Sequence, residues 1–419
     1  MTKELPPISR RTVIGLLSLL LRLMSLAGKL ALSLFMGKFF ALSELGSYGL
    51  AFGAVMLAIV VFGFRVDYIV SREILGMEIE KQRRVGTEVA LLFLGSFVFA
   101  APFVLAGLVV FAEGEDFLLL VLIYLLCGVE AYANFLYTVT IALKRPALAN
   151  ALFFVRAGLW TIPAMGISYF DPAHRTVEFV IGCWLAGVTL SVAINMWLMR
   201  RQLIRLPRLG DFRLRRVLPL CRAALLVWIG SVAITMGGYL DRFVLASFLT
   251  LDDVGVATFY TSFTAAALTL VQSATTSVTF PVLIEHYDAG RTEAYRGELR
   301  RTALMAAGTA LVISIALAAV MPLFGKISGK PELEAAYPVF ILLLVGTLVR
   351  THAETLYYGL FVQRQHRAIW LGNIMFLAAS LVSSVVFIWA FGLVGLGVSA
   401  ILSAIVILVW RSSALRIAR

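Results

Sequence analysis

Charge is scarce in this chain. Only 14% of its 419 residues are Asp, Glu, Lys or Arg, against roughly 25% in an ordinary soluble domain. So few charges cannot cover a surface that faces water on every side, and a soluble globule is excluded. The three cysteines, Cys127, Cys183 and Cys221, all fall in apolar stretches without metal-ligand spacing. They read as small buried hydrophobes, so neither a disulfide framework nor a zinc site is expected. No Gly-rich phosphate loop and no nucleophile–base set is visible. Segments outside the apolar runs are too short to carry a catalytic domain. No enzyme activity, metal or cofactor is therefore expected. The apolar stretches do not alternate with a period of two, which argues against a β-barrel.

Apolar residues make up 61% of the chain, and mean hydropathy is +0.93. A helix rises about 1.5 Å per residue, so about 20 apolar residues span a hydrocarbon core of about 30 Å. Runs of that length lie near 12–40, 45–64, 86–111, 117–142, 148–169, 178–199, 218–248, 254–283, 302–324, 337–361, 368–391 and 394–411. They predict an all-α polytopic membrane protein with about twelve transmembrane helices. The first run opens with Lys3, Arg10 and Arg11, as a signal peptide would. It then continues past Arg22 and Lys29, too far for a short signal core, and reads as a retained helix.

Basic residues set the orientation. With the N-terminus inside, 26 of the 36 Lys and Arg fall in cytoplasmic segments, including Arg411, Arg416 and Arg419. Only Arg175, Lys326 and Lys330 lie outside, beside acids such as Glu113, Glu115, Asp116, Asp252, Asp253, Glu332 and Glu334. This asymmetry places both termini in the cytoplasm. It also accounts for most of the +12 net charge, so no nucleic-acid partner is expected.

The longest cytoplasmic loop, Arg200 to Arg216, divides the chain into two groups of six spans. Leu45-Gly46-Ser47-Tyr48-Gly49 opens the second span and Val254-Gly255-Val256-Ala257-Thr258 the eighth, each after an acidic residue. Six is even, so both halves enter from the same side. Two six-helix lobes, residues 1–205 and 206–419, related as parallel repeats, are expected. Such an arrangement places a substrate path between lobes near the midplane.

Within the spans lie Arg22, Lys29, Lys38, Arg156, Arg222, Arg242 and Arg350, with the acids Glu130, Asp241 and Glu354. A charge at the bilayer centre costs about 2.5–3.5 kcal/mol on insertion scales, so these residues should face protein or water. Lys38 and Arg222 lie near helix ends, where snorkelling is an alternative. Arg22 and Lys29 are seven apart and share a helix face, as an anion cavity would require. Asp241 and Arg242 are adjacent and point apart, each to another helix or to water. Arg350 and Glu354 are four apart, with His352 between them; an internal pair and a pair that opens during transport are both compatible. The surplus of cations would draw anions in, and Arg grips phosphate bidentately. Gln272, Thr275, Thr276 and Thr279 recur at helical spacing, either as glue between helices or as a polar lining. Glu130, Asn134 and Tyr137 share one face; so do Arg156 and Trp160, and Arg350 and Tyr357.

Gly238-Tyr-Leu-Asp-Arg-Phe-Val-Leu245 running into Val254-Gly255-Val256, Phe280-Pro281, and Phe62-Gly63-Phe64-Arg65-Val66-Asp67 before Ser71-Arg72-Glu73 resemble the polysaccharide-biosynthesis flippases. These are the Wzx-type oligosaccharide translocases of the MOP superfamily, which also holds the MATE exporters. The resemblance covers nearly the whole chain, although about twelve spans is two fewer than lipid II flippases typically carry. It implies a MATE-like pair of six-helix bundles in the bacterial inner membrane. The implied substrate is an undecaprenyl-pyrophosphate-linked oligosaccharide, as in O-antigen synthesis, flipped to the periplasmic leaflet. Lipid bilayer, the polyprenyl-pyrophosphate-linked glycan and polysaccharide assembly proteins are the implied partners. Arg22, Lys29, Arg156, Arg222, Arg242, Arg350, Gln272 and Tyr357 would then hold substrate during alternating access. Glu130, Asp241, His352 and Glu354 would couple or gate. A rival is a H⁺- or Na⁺-coupled exporter of organic cations, which calls for acid-dominated cavities. A membrane glycosyltransferase or ligase is a further rival, and it lacks a loop for catalytic carboxylates.

Overall fold

The computed structural model describes residues 10–111, 117–203 and 214–417. The expectations for Lys3, for Glu113, Glu115 and Asp116, for Arg419 and for the linker at 204–213 lie outside the described residues. So does the side chain of Thr276.

The protein is a multi-pass, all-helical membrane protein. Twelve spans among the described residues are long and apolar enough to cross a bilayer. The element order is α1 (Arg10–Phe39), α2 (Leu42–Val61), short α3 (Val66–Glu73), α4 (Ile79–Phe111), α5 (Phe117–Ala142), α6 (Pro146–Phe154), α7 (Thr161–Phe170), α8 (Val177–Leu203), α9 (Leu214–Phe248), α10 (Leu251–Val271), α11 (Ser277–Asp288), α12 (Thr292–Ser328), short α13 (Pro331–Ala335), α14 (Tyr337–Val362), α15 (His366–Phe391) and α16 (Leu393–Ile417). Two spans are interrupted by π-helical turns, Val155–Leu159 between α6 and α7 and Gln272–Thr276 between α10 and α11. Such turns widen the backbone and redirect side chains. Nothing in the residue pattern signalled them.

The chain forms two compact units. The first comprises residues 1–32 and 54–225; the second comprises 33–53 and 226–419. In the first unit, Gly63 lies under the ring of Phe93, and Phe64 and Arg65 take left-handed φ values of 43° and 53°. That tight turn starts α3, whose Val66 and Val70 pack with Ile74, Phe93 and Phe135 in one apolar cluster. The turn thus ties α2 to α4 and α5. Asp67 on α3 is buried, 3.6 Å from the Arg65 guanidinium. Burial pushes its carboxyl above the usual range despite that partner.

The second unit is organised by close helix crossings. A Cβ on Gly46 of α2 would sit 2.2 Å from the Leu251 carbonyl oxygen, and one on Gly255 of α10 would sit 2.0 Å from that of Leu42. The two glycines that open the second and eighth spans therefore face each other, and the helices meet backbone to backbone. Small residues drive association in lipid this way, because apolar side chains gain nothing over lipid tails. The ammonium of Lys330, on the short link before α13, donates to the Phe40 carbonyl just beyond the C-terminus of α1, where a cation is favoured. A Thr250/Asp253 capping box starts α10. Farther along, α16 packs on α14 and α15.

Candidate functional site

Apart from Lys38 and Arg222, the intramembrane charges gather in two places, one in each unit. In the first unit the cluster is built by α1, α5, the π turn and α8. Arg22 and Lys29 occupy one face of α1. That face lies against the fifth span, where Gly28 and Gly158 allow backbone approach: a Cβ on Gly158 would come within 2.8 Å of Ser25 Cα. The Arg22 Nε donates to Asn150 Oδ1 at 3.0 Å, and its Nη2 to the Tyr137 hydroxyl at 2.6 Å. Deeper in, the π turn presents Arg156, whose Nε donates to Glu130 on α5. The other Glu130 oxygen accepts from Trp184 Nε1 of α8 at 3.0 Å. Trp184 stacks on Trp160 with centroids 5.6 Å apart and planes at 5°, and Lys29 Nζ lies 6.0 Å from the Trp184 ring.

Burial decides how this cluster behaves. Arg156 is 6% exposed and Glu130 3%, so their attraction is little screened. Among the described residues of the cluster, Glu130 is the single acid beside two cations, Lys29 and Arg156, while the exposed Arg22 is held by Asn150 and Tyr137. Arg156 Nη1 and Trp160 Nε1 are buried without a hydrogen-bond partner among the described residues. An unmet guanidinium donor in low dielectric is a standing demand for an acceptor, which an anion satisfies best.

In the second unit, α9, α10, α14, α15 and α16 line an open cavity of about 320 Å³ onto which Asp241, Arg242 and Arg350 open. Arg242 donates to the Gly49 carbonyl of α2 at 3.1 Å and to the Thr261 hydroxyl at 3.2 Å, while its Nε has no partner among the described residues. Its guanidinium lies 5.3 Å from the Tyr239 ring and 5.6 Å from the Phe52 ring. The neighbouring Asp241 points elsewhere, as adjacent helical positions must. Among the described residues it accepts only from the Arg242 backbone N–H, at 2.9 Å. Hydroxyls of Thr264, Ser384 and Ser399 share the rest of the wall with apolar groups such as Leu268 and Leu343, and Ser399 bridges Ser383 at 2.7 Å and Ser384 at 2.9 Å.

Arg350 and Glu354 form the internal pair, at 2.7 Å, with Arg350 stacked 4.1 Å from the Phe376 ring. A third member is new. Arg411, counted in the sequence among cytoplasmic loop cations, is 1% exposed and lies 3.2 Å from Glu354. The correction has a simple cause: α16 runs on to Ile417, so Arg411 is more than a turn inside the helix. There it donates to the Ala353 carbonyl at 2.9 Å and Asn373 Oδ1 at 3.4 Å. Its guanidinium also lies 5.2 Å from the ring of Tyr357. Its place at the end of the last apolar run, 394–411, was the signal available in the sequence.

Other sequence candidates fall elsewhere. His352, two residues after Arg350 and so about 200° around the helix, opens on a different cavity. Arg222 is exposed near the start of α9, and Lys38 is exposed beside Phe39. Gln272 starts the π turn, and Thr275 and Thr279 bond back to carbonyls of their own helix.

Solved structures decide the architecture. The lipid II flippase MurJ, in an inward closed conformation, superposes with a TM-score of 0.76 over 96% of this chain and 87% of that one, at 11% identity. An inward-facing multidrug-resistance MATE family transporter gives 0.67, with 96% and 98% coverage and 16% identity. A point mutant of the Vibrio cholerae MATE transporter VcmN gives 0.63, with 97% and 98% coverage and 16% identity. The chain shares the fold of these transporter and flippase structures. At these identities the likeness carries the fold and nothing about substrate. No protein-family model and no curated protein sequence matches the chain.

Proposed function

We propose that this protein moves an anionic, pyrophosphate-linked lipid oligosaccharide from the cytoplasmic to the periplasmic leaflet of a bacterial inner membrane by alternating access. The observation that carries this reading is the cation surplus inside both units. In the first unit Arg156 and Lys29 surround Glu130, the single acid there among the described residues, and Arg22 adds a cation at Asn150 and Tyr137; in the second, Arg242, Arg350 and Arg411 stand against Asp241 and Glu354. Glu130 and Glu354 are already committed to arginines, so the net field of each cluster favours an anion. Buried arginine donors without acceptors fit a phosphate, whose oxygens take paired N–H bonds. A lipid-linked substrate keeps its tail in the bilayer, so only the headgroup needs this polar path. The fold, shared with a lipid II flippase, accommodates such a task.

One observation favours a second reading. Asp241 faces the cavity and, among the described residues, accepts from no side chain, as a binding group for an organic cation or a coupling ion would. Liposomes separate the two. The purified protein is reconstituted with a fluorescent polyprenyl-pyrophosphate oligosaccharide in one leaflet, and leaflet exchange is followed for the wild type, Arg22→Gln, Lys29→Gln and Arg350→Gln. Exchange that requires the protein and collapses in the folded variants is expected. Absent exchange, with proton-driven uptake of an organic cation that survives these substitutions, would overturn the proposal.

A further inference from the structure

We infer that the second unit carries a separate site for an acidic glycerophospholipid of the cytoplasmic leaflet, in a cavity that none of the intramembrane cations Arg22, Lys29, Arg156, Arg242 or Arg350 lines. The cavity, about 750 Å³, lies among the α11–α12 turn, α12, α14 and the end of α16. Basic-residue asymmetry assigns this end of the unit to the cytoplasm.

Its chemistry is one-sided. Arg296 and Arg300 stand four apart on α12 and so project together. No Asp or Glu among the described residues lines the cavity. The neighbouring charges are already matched: Arg291 to Glu285 at 2.9 Å, Arg301 to Glu298 at 3.8 Å and Arg364 to Asp288 at 4.0 Å. No ion pair forms at Arg296 or Arg300 among the described residues. His352, Gln363 and Ser412 add polar groups around them. The wall is held in place from behind, since Tyr295 donates to the Gly359 carbonyl at 3.0 Å and joins α12 to α14.

The remaining lining separates a lipid from a free anion. Leu299, Ala303, Leu356 and Leu415 give the same cavity an apolar part. Inorganic phosphate has no use for such a surface. A glycerophosphate headgroup does, because its first methylenes follow it in. Basic pockets between spanning helices at the cytoplasmic side hold acidic headgroups by this combination, with about 1 kcal/mol per Lys or Arg near the surface. Two arginines then correspond to about 30-fold in affinity.

The test uses the full-length protein in detergent. Short-chain phosphatidylglycerol is titrated calorimetrically, beside short-chain phosphatidylcholine and inorganic phosphate. Native mass spectrometry follows which lipids stay bound. Saturable binding of phosphatidylglycerol is expected, weakened about 30-fold in R296Q/R300Q. Arg364→Gln, a cation at the same end that does not line the cavity, should leave binding within about twofold. Ser412→Glu, which keeps both arginines but puts a carboxylate on the wall, should also abolish binding; it guards against misfolding of the double variant. Equal affinity for phosphatidylcholine, unchanged binding in both R296Q/R300Q and S412E, or phosphate binding as tightly as the lipid would each overturn the inference. Arg350→Gln should not change this binding, whatever it does to translocation.

Discussion

Glu354 is the place to test how the buried charges are held. It sits between two guanidiniums, Arg350 at 2.7 Å and Arg411 at 3.2 Å. Their positions are unequal: the Arg350 side chain is 20% exposed beside a cavity, and that of Arg411 1%. Glu354→Gln keeps the shape and an acceptor but removes the negative charge between them, leaving Arg411 buried and unneutralised. Breaking a buried pair from one side costs about 3–5 kcal/mol. Arg350→Met should cost only about 1 kcal/mol, the net worth of a hydrogen bond, because Glu354 keeps Arg411. Neutralising both members in Glu354→Gln/Arg411→Met should recover part of the single-variant loss, since well-packed apolar replacements of buried pairs are often neutral. The three cysteines all lie in the first unit, so the reporter is placed in the unit that holds Glu354: in a background without them, Ser384→Cys, at a position buried in the second unit, reads its unfolding through a thiol-reactive dye. The reasoning fails if Arg350→Met destabilises as much as Glu354→Gln, or if the double variant loses the sum of its parts. The ranking also bears on the proposed mechanism: a small loss in Arg350→Met would fit a pair that opens during transport, and a large one a fixed internal pair.

Three further outcomes follow from the same structure. Gly46→Leu or Gly255→Leu should force α2 and α10 apart and cost about 1–3 kcal/mol or more, as overpacking does; Gly238→Ala, where nothing lies within 4 Å, should be harmless by the same thiol assay. Glu130→Gln should destabilise the first unit by about 3 kcal/mol, because Arg156 loses its counter-charge; little change in the unfolding midpoint would mean that the cluster is more hydrated than its burial indicates. Asp67 has a raised carboxyl pKa from burial, so the folded protein keeps a proton that the unfolded chain has released. Stability should therefore fall as pH rises from the ordinary carboxylate range through the raised value, and level off above it. Asp67→Asn should remove that slope, measured by unfolding across acidic pH; a slope of opposite sign in the wild type would refute the assignment.

Much of this was readable from residue order. Hydropathy is a local property, summed along about 20 residues, so the number and placement of spans follow from the residues within each window alone. The expense of a charge in lipid likewise marked Arg22, Lys29, Glu130, Arg156, Asp241, Arg242, Arg350 and Glu354 before any contact was known. Helical periodicity correctly grouped Arg350 with Glu354 and set Asp241 apart from Arg242, because both statements concern a single helix. Periodicity does not say which neighbour a face meets. That Glu130 takes Arg156 and Trp184, that Glu354 has a second partner in Arg411, and that His352 opens away from Arg350 all depend on the azimuths of helices distant in sequence. Those azimuths are set by packing: by the backbone contact at Gly46 and Gly255, by the approach of α1 at Gly28 and Gly158, and by a π turn that no residue pattern announces. Residue order therefore specified the solvent and the cost of each buried charge, and the tertiary packing chose the partners that offset it.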